Sequence, residues 1–253
     1  MNVFITGANS GIGAAISRYY ASQGANLGLF ARRQPALDAL ATELPAGSAA
    51  TYAGDVRDAD ALARAAGAFI ARFGPPDIVI ANAGVSQGTL TEFAADLAVF
   101  KAVLDTNVVG LFATFQPFIA PMKAAGRGTL VGIASVAGFR GLPGSGAYSA
   151  SKSAAITYLE SLRLELRDTG IAVVTICPGY VATPMTERNP YPMPFMLDPV
   201  KAARLIGRAI ARRRRFYVLP WPMALVGCVL RMLPRPVYDA LFARAPHKPR
   251  QPG

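Results

Sequence analysis

The sequence has few of the residues that metal and disulfide chemistry need. Its 253 residues include two cysteines, Cys177 and Cys228, and a single histidine, His247. Two cysteines cannot build a disulfide framework, and neither stands at a metal-ligand spacing. A zinc site and a catalytic triad built on histidine are therefore not expected, and no metal is predicted.

Charged residues are scarce as well. They make up 16% of the chain, against 52% hydrophobic residues, which excludes a disordered chain and predicts a large buried core. A chain of this length fits one α/β domain. The first strand-like run begins at Asn2 without a preceding basic segment and apolar signal region. A cytoplasmic location is therefore expected, with peripheral attachment to the cytoplasmic membrane face left open.

Acidic residues almost disappear toward the C-terminus. Residues 1–200 contain 14 Lys+Arg and 14 Asp+Glu, whereas residues 201–253 contain 12 Lys+Arg and one acid, Asp239. The entire net charge of +11 therefore lies in the last 53 residues. Such an excess favours an anionic partner for this part of the chain.

Short apolar runs alternate with helix-length segments along the chain. The runs include NVFIT, NLGLF, DIVIAN, GTLVGIAS, IAVVTICPG and FYVLP. Strands that alternate with helices, and that read as continuous apolar runs, indicate a parallel sheet covered on both faces. We predict a single Rossmann-type, doubly wound α/β domain of about seven strands over residues 1–220, followed by a basic and apolar extension over residues 221–253.

The first apolar run leads directly into a glycine-rich turn, TGANSGIGAA, at residues 6–15. Glycines at such a strand-to-helix turn let the backbone approach a pyrophosphate, and the helix N-terminus offers N–H groups to the anion. The turn therefore predicts dinucleotide binding by residues Gly7, Asn9, Ser10, Gly11, Ile12 and Gly13.

The second apolar run ends in Arg32 and Arg33, where a site for NAD(H) would place an acidic residue against the ribose hydroxyl. Guanidinium groups suit the 2′-phosphate of NADP(H) instead. We predict a preference for NADP(H), with NAD(H) as the alternative; two solvated arginines on a loop would look the same.

Tyr148 and Lys152 are four residues apart at the start of a helical segment, so they share one helix face. Ser135 lies at the end of the preceding apolar run, at the edge where open α/β sheets bind ligands. A strand-end serine, a Tyr-x-x-x-Lys pair and a dinucleotide turn together form a specific pattern.

With these motifs the chain resembles the short-chain dehydrogenase/reductase family, over roughly residues 1–220. The matching motifs occur in order: TGANSGIG, Asn82 to Gly84, Asn107, Ser135, YSASK, and the Pro178-Gly179 pair. Ala81 stands where many members have a second asparagine.

The resemblance implies a catalytic tetrad of Asn107, Ser135, Tyr148 and Lys152. Tyrosine titrates near pH 10, about three units above neutrality, and a nearby ammonium favours its ionised form. Tyr148 would exchange a proton with the substrate oxygen, Ser135 would orient that oxygen, and Lys152 would also hold the nicotinamide ribose. Asn107 would anchor a water that relays protons. A helix-packing asparagine satisfied by backbone groups is the alternative.

Further contacts with the cofactor follow from the same resemblance. Asp55 and Val56 would contact the adenine, and Asn82, Ala83 and Gly84 would line the adenosine side. The nicotinamide end would involve Pro178, Gly179, Val181 and Thr183. Asp55 could instead be a turn residue, and Thr183 a loop residue. Members of the family are often homodimers or homotetramers paired through two long helices.

The loop at residues 183–199 is rich in proline and methionine, which suits an apolar small-molecule substrate. The alternative is packing of these side chains onto the sheet or a partner subunit.

After the cluster Arg212–Arg215, residues 216–230 are uncharged. This stretch is shorter than the about 20 residues that span a bilayer. The extension fits a helix lying on an anionic membrane surface, or a cover for the substrate site or a partner subunit. Nucleic-acid binding is not expected, because no stacking platform or reading motif is present.

The function predicted from these features is NADP(H)-dependent hydride transfer between the nicotinamide and a carbonyl or secondary alcohol, on a hydrophobic substrate. The alternative from another class is a non-catalytic NADP(H)-binding sensor or scaffold on the same fold. Such proteins usually lack the tyrosine or the lysine, and both are present here. An epimerase or dehydratase of related fold is disfavoured, because no separate substrate domain follows.

Overall fold

The computed structural model describes residues 1–187, 189 and 191–250. Arg188 and Pro190 of the proline-rich loop, and residues 251–253 of the extension, lie outside the described residues. The elements follow in the order β1 (Asn2–Thr6), α1 (Gly11–Ala21), β2 (Asn26–Ala31), α2 (Gln34–Thr42), β3 (Ala49–Ala53), α3 (Ala59–Phe73), β4 (Ile78–Ala81), α4 (Asp96–Leu104), α5 (Gly110–Ala124), β5 (Gly128–Ile133), α6 (Gly146–Glu165), β6 (Ile171–Pro178), α7 (Pro199–Ala211), β7 (Phe216–Leu219), α8 (Trp221–Met232) and α9 (Arg235–Phe242).

The seven strands of the described chain form one sheet in the order β3-β2-β1-β4-β5-β6-β7, and all neighbours are parallel. The predicted doubly wound sheet is therefore confirmed, and β7, which forms from the apolar run FYVLP, is an edge strand. The strand order reverses between β1 and β4. In open α/β sheets the crevice outside the carboxyl ends of the strands at this switch point is the usual ligand site.

Side chains leave the strands alternately toward two helical layers. From β1, Val3 and Ile5 enter the core formed with α1, α2 and α7, whereas Phe4 enters the core formed with α3, α5 and α6. The Phe4 ring packs against Phe69 and Phe118, with centroids 5.5 and 4.8 Å apart. Burial on both faces explains why the strands read as continuous apolar runs.

The long apolar segment between β4 and β5 forms two helices, α4 and α5, joined by a π-helical turn over Asp105–Val109. Within the part of the chain that the structure describes, Asp96–Ala124 is the one stretch long and apolar enough to span a membrane by length and composition. Three side chains of α5, Phe115, Phe118 and Met122, are fully buried in the domain core. The stretch is therefore part of the packing around the sheet.

The extension packs against the loops that follow β5 and β6. A Cβ at Gly179, just after β6, would lie 2.8 Å from Met223 of α8. In α9 the Tyr238 hydroxyl donates to the carbonyl of Gly141 at 2.6 Å. Both helices therefore lie at the carboxyl edge of the sheet.

Candidate active site

Asn82 holds the glycine turn between β1 and α1 closed. Its Nδ2 donates to the carbonyls of Thr6 and Gly7, at 3.0 and 3.1 Å. Gly7 has a φ of +64°, and a Cβ there would lie 2.8 Å from Ala83 Cα. A Cβ at Gly13 would overlap the Gly7 carbonyl oxygen. Only glycine fits these two positions, because the turn, the first turn of α1 and the end of β4 meet there.

The N-terminus of α1 opens onto the cleft at the switch point. Ser10 is its N-cap residue, and the Ser10 side chain makes no capping hydrogen bond. The first N–H groups of a helix have no acceptor within the helix, and Ser10, Gly11 and Ile12 all line the cleft. The chain thus provides backbone donors and a positive dipole end where the sequence predicts a pyrophosphate.

Arg32 and Arg33 lie at one end of this cleft, directly after β2. With its amide oxygen turned toward the guanidinium, Asn9 accepts from Arg33 Nη2 at 3.1 Å and from Nε at 3.2 Å. Asn9 therefore ties Arg33 to the glycine turn. Both arginines are exposed to solvent and remain accessible to an anion.

Asp55 and Val56 line the same end, but the Asp55 carboxylate is already paired. Arg57 Nη2 donates to Asp55 Oδ2 at 2.7 Å, and Arg57 Nε donates to Oδ1 at 3.1 Å. This pairing holds the pKa of Asp55 below its usual range. Arg57 is a further cation near the two arginines, and no motif in the sequence indicates it.

Ser135, Tyr148 and Lys152 meet at the other end of the cleft. Ser135 follows β5, and Tyr148 and Lys152 lie one turn apart on α6. The Ser135 hydroxyl accepts from the Ala137 N–H at 3.1 Å, and it lines the same cleft as the Tyr148 phenol. Lys152 Nζ lies 5.8 Å from the Tyr148 ring centroid and donates to the carbonyl of Ile133 at 2.8 Å. The three predicted side chains therefore form one cluster.

The electrostatics of this cluster differ from the expectation that Lys152 favours the phenolate. In the chain alone, burial raises the pKa of Tyr148, and the neighbouring Ser135 hydroxyl only partly opposes that effect. Burial also lowers the pKa of Lys152 to about 8. Loss of solvation outweighs the mutual influence of the two groups. Tyr148 is thus a neutral proton donor at neutral pH.

Asn107 stands behind the cleft, in the π-helical turn. Its Oδ1 accepts from the N–H of Val85 at 2.8 Å, and its Nδ2 donates to the Val85 carbonyl and to Ser151 Oγ, both at 2.9 Å. Both N–H groups of the amide are thereby engaged. Asn107 therefore has the arrangement of a helix-packing asparagine that is satisfied by backbone groups. A role of Asn107 in proton relay stays a prediction.

Residues after β6 close the cleft opposite the glycine turn. A Cβ at Gly11 would lie 3.1 Å from Thr183 Cγ2, so this loop passes close over the start of α1. Thr186 Oγ1 donates to the Val181 carbonyl at 2.7 Å and accepts from the Thr183 N–H at 3.0 Å. Thr186 therefore fixes the loop, a role without any motif in the sequence.

One cleft of about 340 Å³ connects all these parts, a volume within the usual range of small-molecule sites. Gly13 and Asn107 support its wall from behind. The other predicted residues line it: Gly7, Asn9, Ser10, Gly11, Ile12, Arg32, Arg33, Asp55, Val56, Asn82, Ala83, Gly84, Ser135, Tyr148, Lys152, Pro178, Gly179, Val181 and Thr183. Val85 and Thr106, which no motif indicates, also line it, as do Pro184, Met185 and Thr186 of the loop at residues 183–199 that was predicted to suit the substrate.

Comparison with known proteins agrees with this geometry. The family model described as short chain dehydrogenase matches residues 1–192. An uncharacterized oxidoreductase of Myxococcus xanthus is 39% identical over 95% of this chain and 95% of its own length. A short chain dehydrogenase/reductase from Burkholderia phymatum, solved in complex with NAD, has a TM-score of 0.82 at 25% identity and covers 99% of this chain and 97% of its own. An alcohol dehydrogenase from Thermococcus sibiricus, solved with 5-hydroxy-NADP, has a TM-score of 0.76 at 27% identity, over 86% of this chain and 94% of its own.

Proposed function

The chain belongs to the short-chain dehydrogenase family and is a hydride-transferring oxidoreductase, and from this membership we propose that it uses NADP(H) to reduce the carbonyl group of an apolar substrate, or to oxidise the matching alcohol. The observation that supports the proposal most directly is the cluster of Ser135, Tyr148 and Lys152 at the carboxyl edge of the sheet. The tight glycine turn, in which a Cβ at Gly7 or Gly13 would collide with backbone atoms, and the open N-terminus of α1 beside it suit the pyrophosphate of a dinucleotide.

The residues of the glycine turn, together with Lys152 and Thr183, would hold the nicotinamide dinucleotide, which would supply the hydride for the substrate carbonyl carbon. The Tyr148 phenol donates its proton to the carbonyl oxygen, and Ser135 orients the same oxygen through a hydrogen bond. Below a pH of about 8 Lys152 is cationic, so it stabilises the phenolate that forms as the proton leaves. Asn107 fixes the Val85 backbone beside the cluster.

A substrate screen with NADPH tests this proposal. Wild-type protein is expected to consume NADPH in the presence of lipophilic ketones, and Tyr148→Phe should lower kcat by about 10²- to 10⁴-fold while leaving NADPH affinity intact, because only the proton donor is removed. A Tyr148→Phe variant as active as wild type would show that Tyr148 is not the proton donor. Tight NADPH binding without turnover on any ketone would favour the non-catalytic sensor.

The preference for NADP(H) is proposed from Arg32 and Arg33. Both are exposed at the adenosine end of the cleft, where the carboxylate of Asp55 is already paired with Arg57. Replacing Arg32 and Arg33 together by alanine should lower the ratio of NADPH to NADH affinity by about 10-fold or more, because a charge-assisted contact to the phosphate is lost. An unchanged ratio would refute the preference.

The apolar character of the substrate is proposed from the loop after β6. Met185 lines the cleft, and the Tyr180 and Tyr191 rings lie 6.5 Å apart between their centroids. Burial raises the pKa of Tyr191, and the neighbouring Tyr180 and Tyr148 add to the increase. An aromatic and thioether surface next to the proton donor suits an apolar body.

We further propose that the chain forms a homodimer or homotetramer through α5 and α6. Val109 and Phe112 at the start of this helix pair are both 53% exposed, and Leu164 of α6 is 58% exposed. The Phe112 ring lies 5.8 Å from that of Tyr158 on α6, so the two helices share one apolar surface. Burial of such a surface favours association.

A second surface supports peripheral attachment to an anionic membrane. Trp221, Leu225 and Val229 repeat every fourth residue on α8 and are 77%, 61% and 50% exposed, so they form one apolar stripe on the outer side of the helix. The exposed cluster Arg212–Arg215 precedes β7 and α8 in the chain, and the exposed Arg231 lies in the last turn of α8. An apolar stripe bordered by cations is the arrangement of helices that lie in the headgroup region of a bilayer.

A further inference from the structure

The last described residues of the extension lie across the outer end of the active site. Arg250 forms a parallel β-bridge with Gly88, in the loop after β4. A Cβ at Gly144, in the loop before α6, would lie 2.8 Å from the backbone nitrogen of Lys248. His247–Arg250, termed here the tail segment, is therefore seated closely between the two loops that flank Tyr148.

An ion pair anchors the tail segment at its end. Arg250 Nε donates to Asp96 Oδ2 at 2.7 Å, and Arg250 Nη2 donates to Oδ1 at 2.9 Å. Asp96 is buried and also accepts from the Leu90 N–H at 2.7 Å. The Arg250 guanidinium lies 3.5 Å from the Phe93 ring centroid. A bidentate pair with a stacked guanidinium fixes the position of the backbone two residues earlier.

That backbone holds Lys248 beside the catalytic tyrosine. Lys248 Nζ lies 5.8 Å from the Tyr148 ring centroid and donates to Ser86 Oγ at 2.6 Å. An ammonium group has three N–H donors, and the hydroxyl of Ser86 is neutral. Within the described residues no salt bridge joins Lys248 to a carboxylate.

We propose that Lys248 is the anion-binding residue of the substrate site and that the substrate is a ketone, or the matching alcohol, that carries a carboxylate near the reacting carbon. This inference rests on the proposed function and narrows its substrate class from an apolar molecule to an apolar molecule with one anionic group. A partly buried ammonium without a counter-charge is unfavourable, and a substrate carboxylate supplies that charge. Because Lys248 and Tyr148 are neighbours, the carboxylate lies only a few bonds from the carbonyl.

The two surfaces that approach Tyr148 agree with a mixed site. The Tyr191 and Met185 surface lies on the side of the loop after β6, whereas the tail segment approaches Tyr148 from the loops after β4 and before α6. An apolar body would lie on the first surface, and its anionic group would meet Lys248. Burial lowers the pKa of Lys248, so affinity for the anion falls as the pH rises through that lowered pKa.

The test compares a medium-chain keto acid with its methyl ester, which has the same ketone but no charge. Kinetics with NADPH are measured for wild type, Lys248→Met and Lys248→Arg, with the exposed Lys123→Met as the matched control. Lys248→Met should lower kcat/KM for the acid by roughly 10- to 100-fold, mainly through KM, and leave the ester unchanged. Lys248→Arg and Lys123→Met should keep the wild-type ratio of acid to ester. Equal effects of Lys248→Met on acid and ester would overturn the proposal.

A binding measurement separates failure of this proposal from failure of the proposed function. Equilibrium dialysis of the keto acid and the ester against wild type and Lys248→Met, with NADP⁺ present, does not need turnover. Loss of acid binding alone in Lys248→Met supports the anion site even if neither ketone is reduced. Equal binding of the keto acid and the ester by wild type, or binding of neither compound, overturns the proposal of an anion site. Arg250→Gln, which frees the tail segment, should reproduce the selective loss, and unchanged thermal melting of each variant excludes misfolding.

Discussion

At the scale of single residues, the buried lysine of the active site has a measurable thermodynamic effect. Lys152 is buried, and its ammonium group donates to a neutral carbonyl, that of Ile133. Its pKa falls to about 8 in the folded chain, whereas a lysine in an unfolded chain titrates near about 10.4. Between these two pH values the unfolded chain binds the additional proton. Stability therefore increases with pH through this window.

We accordingly expect the difference in unfolding free energy between wild type and Lys152→Met to change with pH. From about pH 7 to about pH 10, wild type should gain about 2 to 3 kcal/mol relative to the variant, because the penalty for a buried ammonium is removed as Lys152 loses its proton. Urea unfolding of the protein without cofactor measures this difference. A difference that stays constant with pH would contradict the lowered pKa of Lys152.

Individual site residues differ in how far the sequence indicates them. Ser135, Tyr148 and Lys152 were predictable because their spacing and strand-end position carry the chemistry, and the structure brings them together. Lys248 was not predictable, because its position depends on an ion pair between Arg250 and Asp96, residues far apart in the sequence. The sequence also does not indicate the raised pKa of Tyr148, since burial is a property of the packed chain.

At the scale of elements, the start of α1 shows how closely backbone segments approach each other. A Cβ at Gly13 would overlap the Gly7 carbonyl and lie 2.6 Å from Asn82 Nδ2. Gly67 also lies inside a helix, α3, but a Cβ there would meet nothing within 4 Å. The same substitution should therefore have opposite effects at the two positions.

Gly13→Ala is expected to lower the unfolding free energy by about 1 to 3 kcal/mol, because the added methyl group forces α1 away from the glycine turn. Gly67→Ala should raise it by about 1 kcal/mol, because alanine favours the helix and meets open space. Chemical denaturation of both variants measures the two effects. Stabilisation of similar size at both positions would show that helix propensity, not the close approach, decides the effect at Gly13.

The elements themselves were largely predictable, with one informative exception. Buried strands read as apolar runs, and Phe216–Leu219 is the edge strand that the pattern indicates. The π-helical turn at Asp105–Val109 was not predicted, since its sequence continues the apolar helix on either side. Its cause is the polar network of Asn107 with Val85 and Ser151, which depends on tertiary contacts.

At the scale of the whole molecule, the exposed apolar surfaces predict two kinds of association. For the surface on α5 and α6, Phe112→Glu should reduce the mass measured by light scattering to that of the monomer, because a carboxylate cannot be buried unpaired. Val200→Glu places the same charge on an equally exposed residue of α7, on the opposite face of the sheet. This control should leave the mass unchanged. A monomeric wild type would rule out the proposed oligomer.

For the stripe on α8, wild type should float with vesicles that contain anionic lipid at low salt and be released as salt increases. Trp221→Glu with Leu225→Glu should abolish flotation, because the apolar contact is lost while the arginine cluster remains. Neutral vesicles and Val200→Glu serve as controls. Flotation of the double variant at wild-type level would show that the arginines alone cause binding.

The packing of α1 against α7 has a consequence for how the molecule is made. α1 is among the first segments to be synthesised, yet the side chains of α7 that cover it, including Ile206 and Ile210, follow only after β6. At usual translation rates this delay is on the order of ten seconds or more. Throughout that interval the nascent chain presents an uncovered apolar helix, a binding site for the chaperones that act at the ribosome.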